Sequence, residues 1–224
     1  MNIGKITLTN INKGDAIHYL GFGNADPDAS TLALLDKCEK ELLSSLDCKY
    51  IYRVFPLENG QIPGSSFRLR GNAIAGHLKG CRKIILLCAT LSEGADRLIR
   101  KKQLLGMAEA MITDALASAA IEQVCDEAER EIMKSFPGTG HTWRFGLGYG
   151  DFPLDQQAAF LSILDAPKRI GVCSSSSFLL TPLKSVTCVI GLGEDIPTRN
   201  KKKCANCSLR GTCPYRRTDL CSSC

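Results

Sequence analysis

The sequence predicts an α+β fold, a mostly antiparallel sheet packed with helices, and three observations carry that expectation. Ile84 to Cys88, inside CRKIILLCATL, is apolar on both faces and reads as a strand buried at the centre of a sheet. The stretch from about Ala95 to Phe136 holds apolar residues at helical spacing and predicts one long helix. Strands and helices do not alternate strictly and no repeat period is visible, which favours α+β over a doubly wound sheet.

The elements follow in order. Asp15, Ala16, Ile17, Tyr19 and Leu20 predict a helix over 14–21, and a second over 30–46 opens on a Ser30-Thr31 cap signal and carries Leu34, Leu35, Cys38, Leu42 and Leu43. GFGNADPD between them is loop. KYIYRVFPL alternates like a strand from Lys49 and ends at Pro56. ENGQIPGSS then connects to FRLR and to a short helix at Ala73 to Leu78. The long helix draws its stripe from Leu104, Leu105, Ala108, Met111, Ile112, Ala115, Ala119, Val124 and Ile132. Its alanines permit close approach by another element, and Pro137-Gly138 stops it. A further helix carries Leu154, Ala158, Leu161 and Leu164, with Pro153 and Asp155 at its first turn. KRIGV, a polar turn at Ser174 to Ser177 and a strand in KSVTCVIGLG complete the body.

Composition divides the chain at about residue 198. From Arg199 onward seven basic residues face Asp219 alone, so the +5 net charge is a property of the tail and the body is nearly neutral. That distribution argues against a nucleic-acid field over the whole protein. Five of the 12 cysteines fall in the last 21 residues, and the other seven sit in apolar patterns as small core residues. The chain therefore reads as a body, 1–198, and a basic cysteine-rich tail, 199–224. It has no apolar run of membrane-spanning length, and its expected place is the cytoplasm, where clustered thiols serve as ligands or redox groups.

The stretch WRFGLGYGDFPLDQQ, residues 143–157, stands out. Gly146, Gly148 and Gly150 give G-x-G-x-G with no following lysine, which fits neither phosphate-loop pattern. The glycines suit a tight strand-to-helix connection, or a backbone that a small molecule approaches closely. Arg144 offers a permanent charge and a planar fork suited to a carboxylate, and Tyr149 a flat face that attracts a cation. No G-x-S-x-G or H-E-x-x-H is present, and His18, His77 and His141 have no ligand-like spacing, His141 reading as a surface-loop residue.

Arg144, Gly146-Leu147-Gly148-Tyr149-Gly150-Asp151, the following helix, KRIGV and TPLKSVTCVIGL come in an order that resembles the reactivation domain of vitamin B12-dependent methionine synthase in free-standing form. GCRKIILLCATLSEGAD and AIEQVCDEAE extend the similarity over most of residues 10–195. The resemblance implies a domain that binds S-adenosylmethionine and supports reductive methylation of cob(II)alamin held by a partner methionine synthase or related corrinoid protein. An electron donor such as flavodoxin supplies the reduction. It implies Arg144 on the ligand carboxylate, backbone contacts from Gly146 and the adjoining Gly148, Tyr149 near the sulfonium or the corrinoid, and Glu122 as the acid on the long helix. Gly138 stands where the fused form has an acid, and Asp26, Asp28 and Asp151 are the candidate substitutes within the chain, the alternative being acids supplied by the corrinoid protein.

The tail, KKKCANCSLRGTCPYRRTDLCSSC, spaces Cys204, Cys207, Cys213, Cys221 and Cys224 as C-x2-C-x5-C-x7-C-x2-C. That spacing suits tetrahedral zinc or an iron-sulfur cluster and does not choose between them, the remaining alternative being a flexible tail with unligated thiols. The rival reading is a metal-bearing binding module whose basic tail docks nucleic acid or an acidic protein. Tyr215 is the tail's one stacking residue, which weighs against nucleic acid.

Overall fold

The computed structural model describes residues 1–22, 25–65, 67–194 and 196. The strand expected at the centre of the sheet is β3 in chain order, Lys83–Thr90, preceded by β1 (Asn2–Lys5) and β2 (Lys49–Pro56). The sheet order is β1-β2-β3-β8-β4, where β8 is Ser185–Gly193 and β4 is Gly140–His141; β5 (Phe145–Gly146) also pairs with β8. Every pairing is antiparallel. The run apolar on both faces is explained by helices on both faces. Ile84, Leu86 and Cys88 pack with Phe145, Phe152, Phe160 and Val189, while Ile85 and Leu87 pack with Ala128, Ile132, Cys188 and Ile190.

One helical layer comprises α1 (Lys13–Tyr19), α2 (Ala29–Ser45), α4 (Glu93–Leu105) and α5 (Met107–Met133); the other comprises α3 (Asn72–His77), α6 (Gln157–Ile163) and α7 (Ala166–Ile170). A 3-10 turn, Leu154–Gln156, leads into α6, and β6 (Cys173–Ser174) and β7 (Leu180–Thr181) form a separate small hairpin before β8. At 1.5 Å per residue, the 27 residues of α5 run about 40 Å. Buried Ala115, Ala117, Ala119 and Ala120 let the neighbouring helices approach its backbone, as their pattern predicts.

One long helix is present as expected, α5, but the stretch read as a single helix from about Ala95 divides near its start, where α4 precedes it. Gly106 is extended (φ 179, ψ 131) and separates α4 from α5. An apolar stripe read straight through this bend loses phase: Leu104, Leu105, Ala108 and Met111 are exposed, and burial resumes at Ala110 and Ile112. The cap of α2 is Asp28, whose carboxylate accepts from the Thr31 amide at 2.8 Å, rather than Ser30-Thr31. Lys168, Arg169 and Ile170 of KRIGV end α7, and Gly171 follows with φ +73. Of the seven body cysteines, Cys38, Cys48, Cys88, Cys125 and Cys188 are buried as expected, but Cys81 is half-buried and Cys173 exposed. Among the described residues no helix is long and apolar enough to cross a membrane.

Candidate functional site

The glycine-spaced stretch forms the margin of the sheet. Between β4 and β5, Thr142 holds the break closed: its amide donates to the Gly191 carbonyl at 3.0 Å and its hydroxyl accepts from the Gly191 amide at 2.9 Å. The next three side chains divide between the two faces. Trp143 and Phe145 join the α3/α6 side, where the Trp143 ring centroid lies 4.3 Å from that of His77 and 5.1 Å from that of Phe145. Arg144 turns to α5.

There its guanidinium meets three carboxylates. Nη1 donates to Asp126 Oδ1 at 2.8 Å and to Glu129 Oε2 at 2.7 Å, and Nη2 donates to Glu122 Oε2 at 3.1 Å. Residues 122, 126 and 129 recur at helical spacing, so one face of α5 presents all three. The Arg144 and Glu129 side chains are 18% and 13% exposed, whereas Glu122 and Asp126 are 47% and 41% exposed. Burial pushes the Glu129 carboxyl above its ordinary range, against the opposing pull of Arg144. His141 Nε2 lies 3.6 Å from Glu129 Oε1, and at 12% side-chain exposure His141 belongs to the sheet margin rather than to a surface loop. The result is one fixed cation held by three anions, two of them open to solvent.

Beyond β5 the chain makes a tight turn in which the Gly148 amide donates to the Phe152 carbonyl at 2.8 Å and the Tyr149 amide to the Gly146 carbonyl at 3.2 Å. Gly148 has φ +87, a conformation a side chain would strain. A Cβ at Gly146 would come within 3.0 Å of the Tyr149 ring, so the missing side chain lets that ring lie over the backbone. Tyr149 is 47% exposed. Asp151 accepts from the Asn72 and Ala73 amides at 2.7 and 2.8 Å, tying the turn to the start of α3, and these bonds hold its carboxyl below the usual range.

Arg144 and Glu122 are therefore brought together, Glu122 from α5, while Gly146, Gly148 and Tyr149 form the turn after β5, where the Tyr149 ring centroid lies 6.0 Å from that of Phe145. Asp126 and Glu129 were missed, although their helical spacing from Glu122 is visible in the sequence. Asp28 and Asp151 cap helices instead. Two surface cavities, of about 410 and 440 Å³, lie elsewhere: one beside Tyr19, Met107 and Met111, the other beside Lys5, Tyr50 and Glu131. Among the described residues no group of three or more His, Cys, Asp or Glu side chains is arranged to hold a metal ion. Cys204, Cys207, Cys213, Cys221 and Cys224 lie outside the described residues.

No protein-family model matches the sequence, and no curated protein matches it. Among solved structures, the chain is similar to the crystal structure of the MetH reactivation domain bound to AdoHcy, with a TM-score of 0.60 at 13% identity, over 88% of this chain and 80% of that one. At that identity the likeness is one of architecture: this chain shares the fold of the MetH reactivation domain.

Proposed function

We propose that this chain binds S-adenosylmethionine along the Arg144–Tyr149 edge and supports reductive methylation of cob(II)alamin on a corrinoid-binding methionine synthase or related corrinoid protein, with an electron donor such as flavodoxin. The chain is then a component of the methionine synthase methyltransferase system. The observation that carries this reading is the charge arrangement at Arg144. One guanidinium against three carboxylates complements a ligand with one carboxylate and two cationic centres, an ammonium and a sulfonium. The fold shared with a domain solved with AdoHcy supports it.

In this reading the ligand carboxylate displaces Asp126 or Glu122 from Arg144, and the displaced acid turns to the ammonium. Both acids are half-exposed and can move, while buried Glu129 keeps the guanidinium oriented. Tyr149 faces the sulfonium with its ring. Methyl transfer to the partner's corrinoid converts the sulfonium to a neutral thioether, so the acidic face releases its hold on the product. The tail belongs to the proposal as a thiolate metal centre, zinc or iron-sulfur, built from Cys204, Cys207, Cys213, Cys221 and Cys224.

Calorimetric titration of the full chain with S-adenosylmethionine tests the reading. Binding that Arg144→Ala abolishes or severely weakens supports it; absence of heat with wild type removes it. The second reading, a module whose basic tail docks nucleic acid or an acidic protein, rests on the seven basic residues from Arg199. It predicts nucleic-acid binding that collapses as salt rises.

A further inference from the structure

We propose that the bend between α4 and α5 is a docking surface for an acidic amphipathic helix of a partner protein. The first observation is an exposed apolar group on a braced frame. Leu104 and Leu105, at the end of α4, are 89% and 71% exposed, and Met107 and Met111 stand exposed on the first turns of α5. Single exposed apolar residues are ordinary, whereas four together on adjoining helix ends mark an interaction site. The bend is not a frayed end. Lys102, one turn before it, donates to Glu109, within one turn after it, at 2.6 Å, and to Glu41 of α2 at 2.9 Å. The Gly106 amide donates to the Lys102 carbonyl at 2.9 Å, and the Ala110 amide to the Gly106 carbonyl at 3.1 Å. The apolar side chains are therefore held outward by a fixed backbone.

The second observation is the cavity of about 410 Å³ beside them, whose lining includes Tyr19, Ile99, Gln103, Met107 and Met111. Met107 and Met111 are one turn apart on the same face of α5, so the groove between α4 and α5 offers two adaptable thioether side chains. A groove of this kind takes the apolar face of a helix, with one side chain entering the cavity.

The third observation is charge, and it selects the occupant. Arg100 and Lys101 are exposed one turn before Leu104 and Leu105, and among the described residues neither is paired with an acid. The acids nearby are engaged: Glu109 and Glu41 by Lys102, and Asp114 by Lys184 at 2.8 Å. The surplus at the bend is positive, so the rim of the partner is acidic. A second copy of this chain docked here about a two-fold axis would bring both basic pairs into one interface, and the chain's own tail, seven basic residues to one acidic, carries the same sign. An anionic bilayer matches the sign, but its flat surface leaves the cavity unfilled. Glu122 lies about 16 Å further along α5 than Met111, so this surface is separate from the Arg144 cluster and does not depend on the function proposed above.

The test is fluorescence anisotropy with the full chain and three labelled peptides: a model helix with leucine and phenylalanine on one face and glutamate on the other, the same helix with lysine for glutamate, and a scrambled form of the acidic sequence. Saturable binding of the acidic helix is expected, about tenfold tighter than of either control. Leu104→Ser/Leu105→Ser leaves every charge in place and should weaken that binding about tenfold, with the urea midpoint unchanged because both side chains already stand in water. Arg100→Glu/Lys101→Glu should turn the preference toward the lysine helix. No binding of the acidic helix, or equal binding of its scrambled form, which would assign the attraction to the basic tail, would overturn the proposal. So would a concentration-dependent dimer in sedimentation, or binding to phosphatidylglycerol vesicles, that Leu104→Ser/Leu105→Ser abolishes, since the face would then belong to a second copy or to a membrane.

Discussion

Helix α5 holds a cation among carboxylates at two places, and the two clusters differ in charge balance and in how deeply the cation is buried. Near its start, Lys102 of α4 is 3% exposed and donates to Glu41 at 2.9 Å and Glu109 at 2.6 Å, with Lys37 on the other Glu109 oxygen. Four turns on, Arg144 is held by Glu122, Asp126 and Glu129. The Lys102 cluster joins α2, α4 and α5 around a sealed ammonium, with two lysines against two acids. The Arg144 cluster lies on the sheet margin, has an excess of acid, and keeps two of its carboxylates in water. The Lys102 cluster is balanced and closed around its ammonium, although Lys37 and Glu41 on its rim are 56% and 37% exposed, and it serves the fold; the open Arg144 cluster, with surplus acid, can exchange partners with a ligand.

Breaking the closed cluster should give the largest effect on stability. Lys102→Met leaves two carboxylates facing an apolar side chain and is expected to cost about 3 kcal/mol in urea unfolding, with S-adenosylmethionine binding unchanged. The clusters should also differ in pH response. Lys102 first, then Lys37, lowers the Glu109 carboxyl from its ordinary 4.5 to about 2. Its contribution is therefore present above pH 4.5 and lost as pH falls through about 2, and Lys102→Met should flatten that acid limb. Glu129 is shifted upward by burial, so its contribution is present below its ordinary 4.5 and lost as pH rises through its folded value. The stability of wild type relative to Glu129→Gln should accordingly fall as pH rises above 4.5. Urea midpoints across pH check both signs.

Breaking the open cluster should be felt in binding. Arg144→Ala is expected to weaken S-adenosylmethionine about a hundredfold, roughly 3 kcal/mol, because a ligand carboxylate loses a bidentate charged partner. Its cost in unfolding should be smaller than that of Lys102→Met, since Glu122 and Asp126 are already half in water. Asp126→Asn keeps the shape and removes one charge. It should weaken S-adenosylmethionine and S-adenosylhomocysteine alike, each about tenfold or roughly 1.4 kcal/mol, because both ligands carry the ammonium to which the displaced acid turns. A loss confined to S-adenosylmethionine would place Asp126 on the sulfonium instead.

The same contrast explains what could be read from sequence. Ile84 to Cys88 announced a central strand because both of its faces are covered, and that requirement is local. Arg144 and Tyr149 were legible because unusual side chains sit beside glycines in a short stretch. The bend at Gly106 was not, since glycine at one position of a helical pattern is tolerated and only the packing of α4 against α2 and α5 decides that the chain turns. Asp126 and Glu129 were passed over because acidic residues on a helix are usually solvated; what sets them apart is Arg144, which lies 18 and 15 residues further along the chain and arrives through the pairing of β5 with β8.

Tyr149 supplies the smallest and most specific comparison. Nothing at the Lys102 cluster resembles it: an aromatic ring, 47% exposed, seated on the backbone of Gly146 and 6.0 Å from the ring of Phe145. If the ring's role is to meet a sulfonium, the face matters and the hydroxyl does not. Tyr149→Phe should then bind S-adenosylmethionine within about twofold of wild type, while Tyr149→Leu should lose about threefold, the size of a half-exposed cation-π contact. S-adenosylhomocysteine, lacking the cation, should not distinguish Phe from Leu. A loss in Tyr149→Phe as large as in Tyr149→Leu would instead assign the work to the hydroxyl, and the sulfonium would have to face the carboxylates of α5 alone.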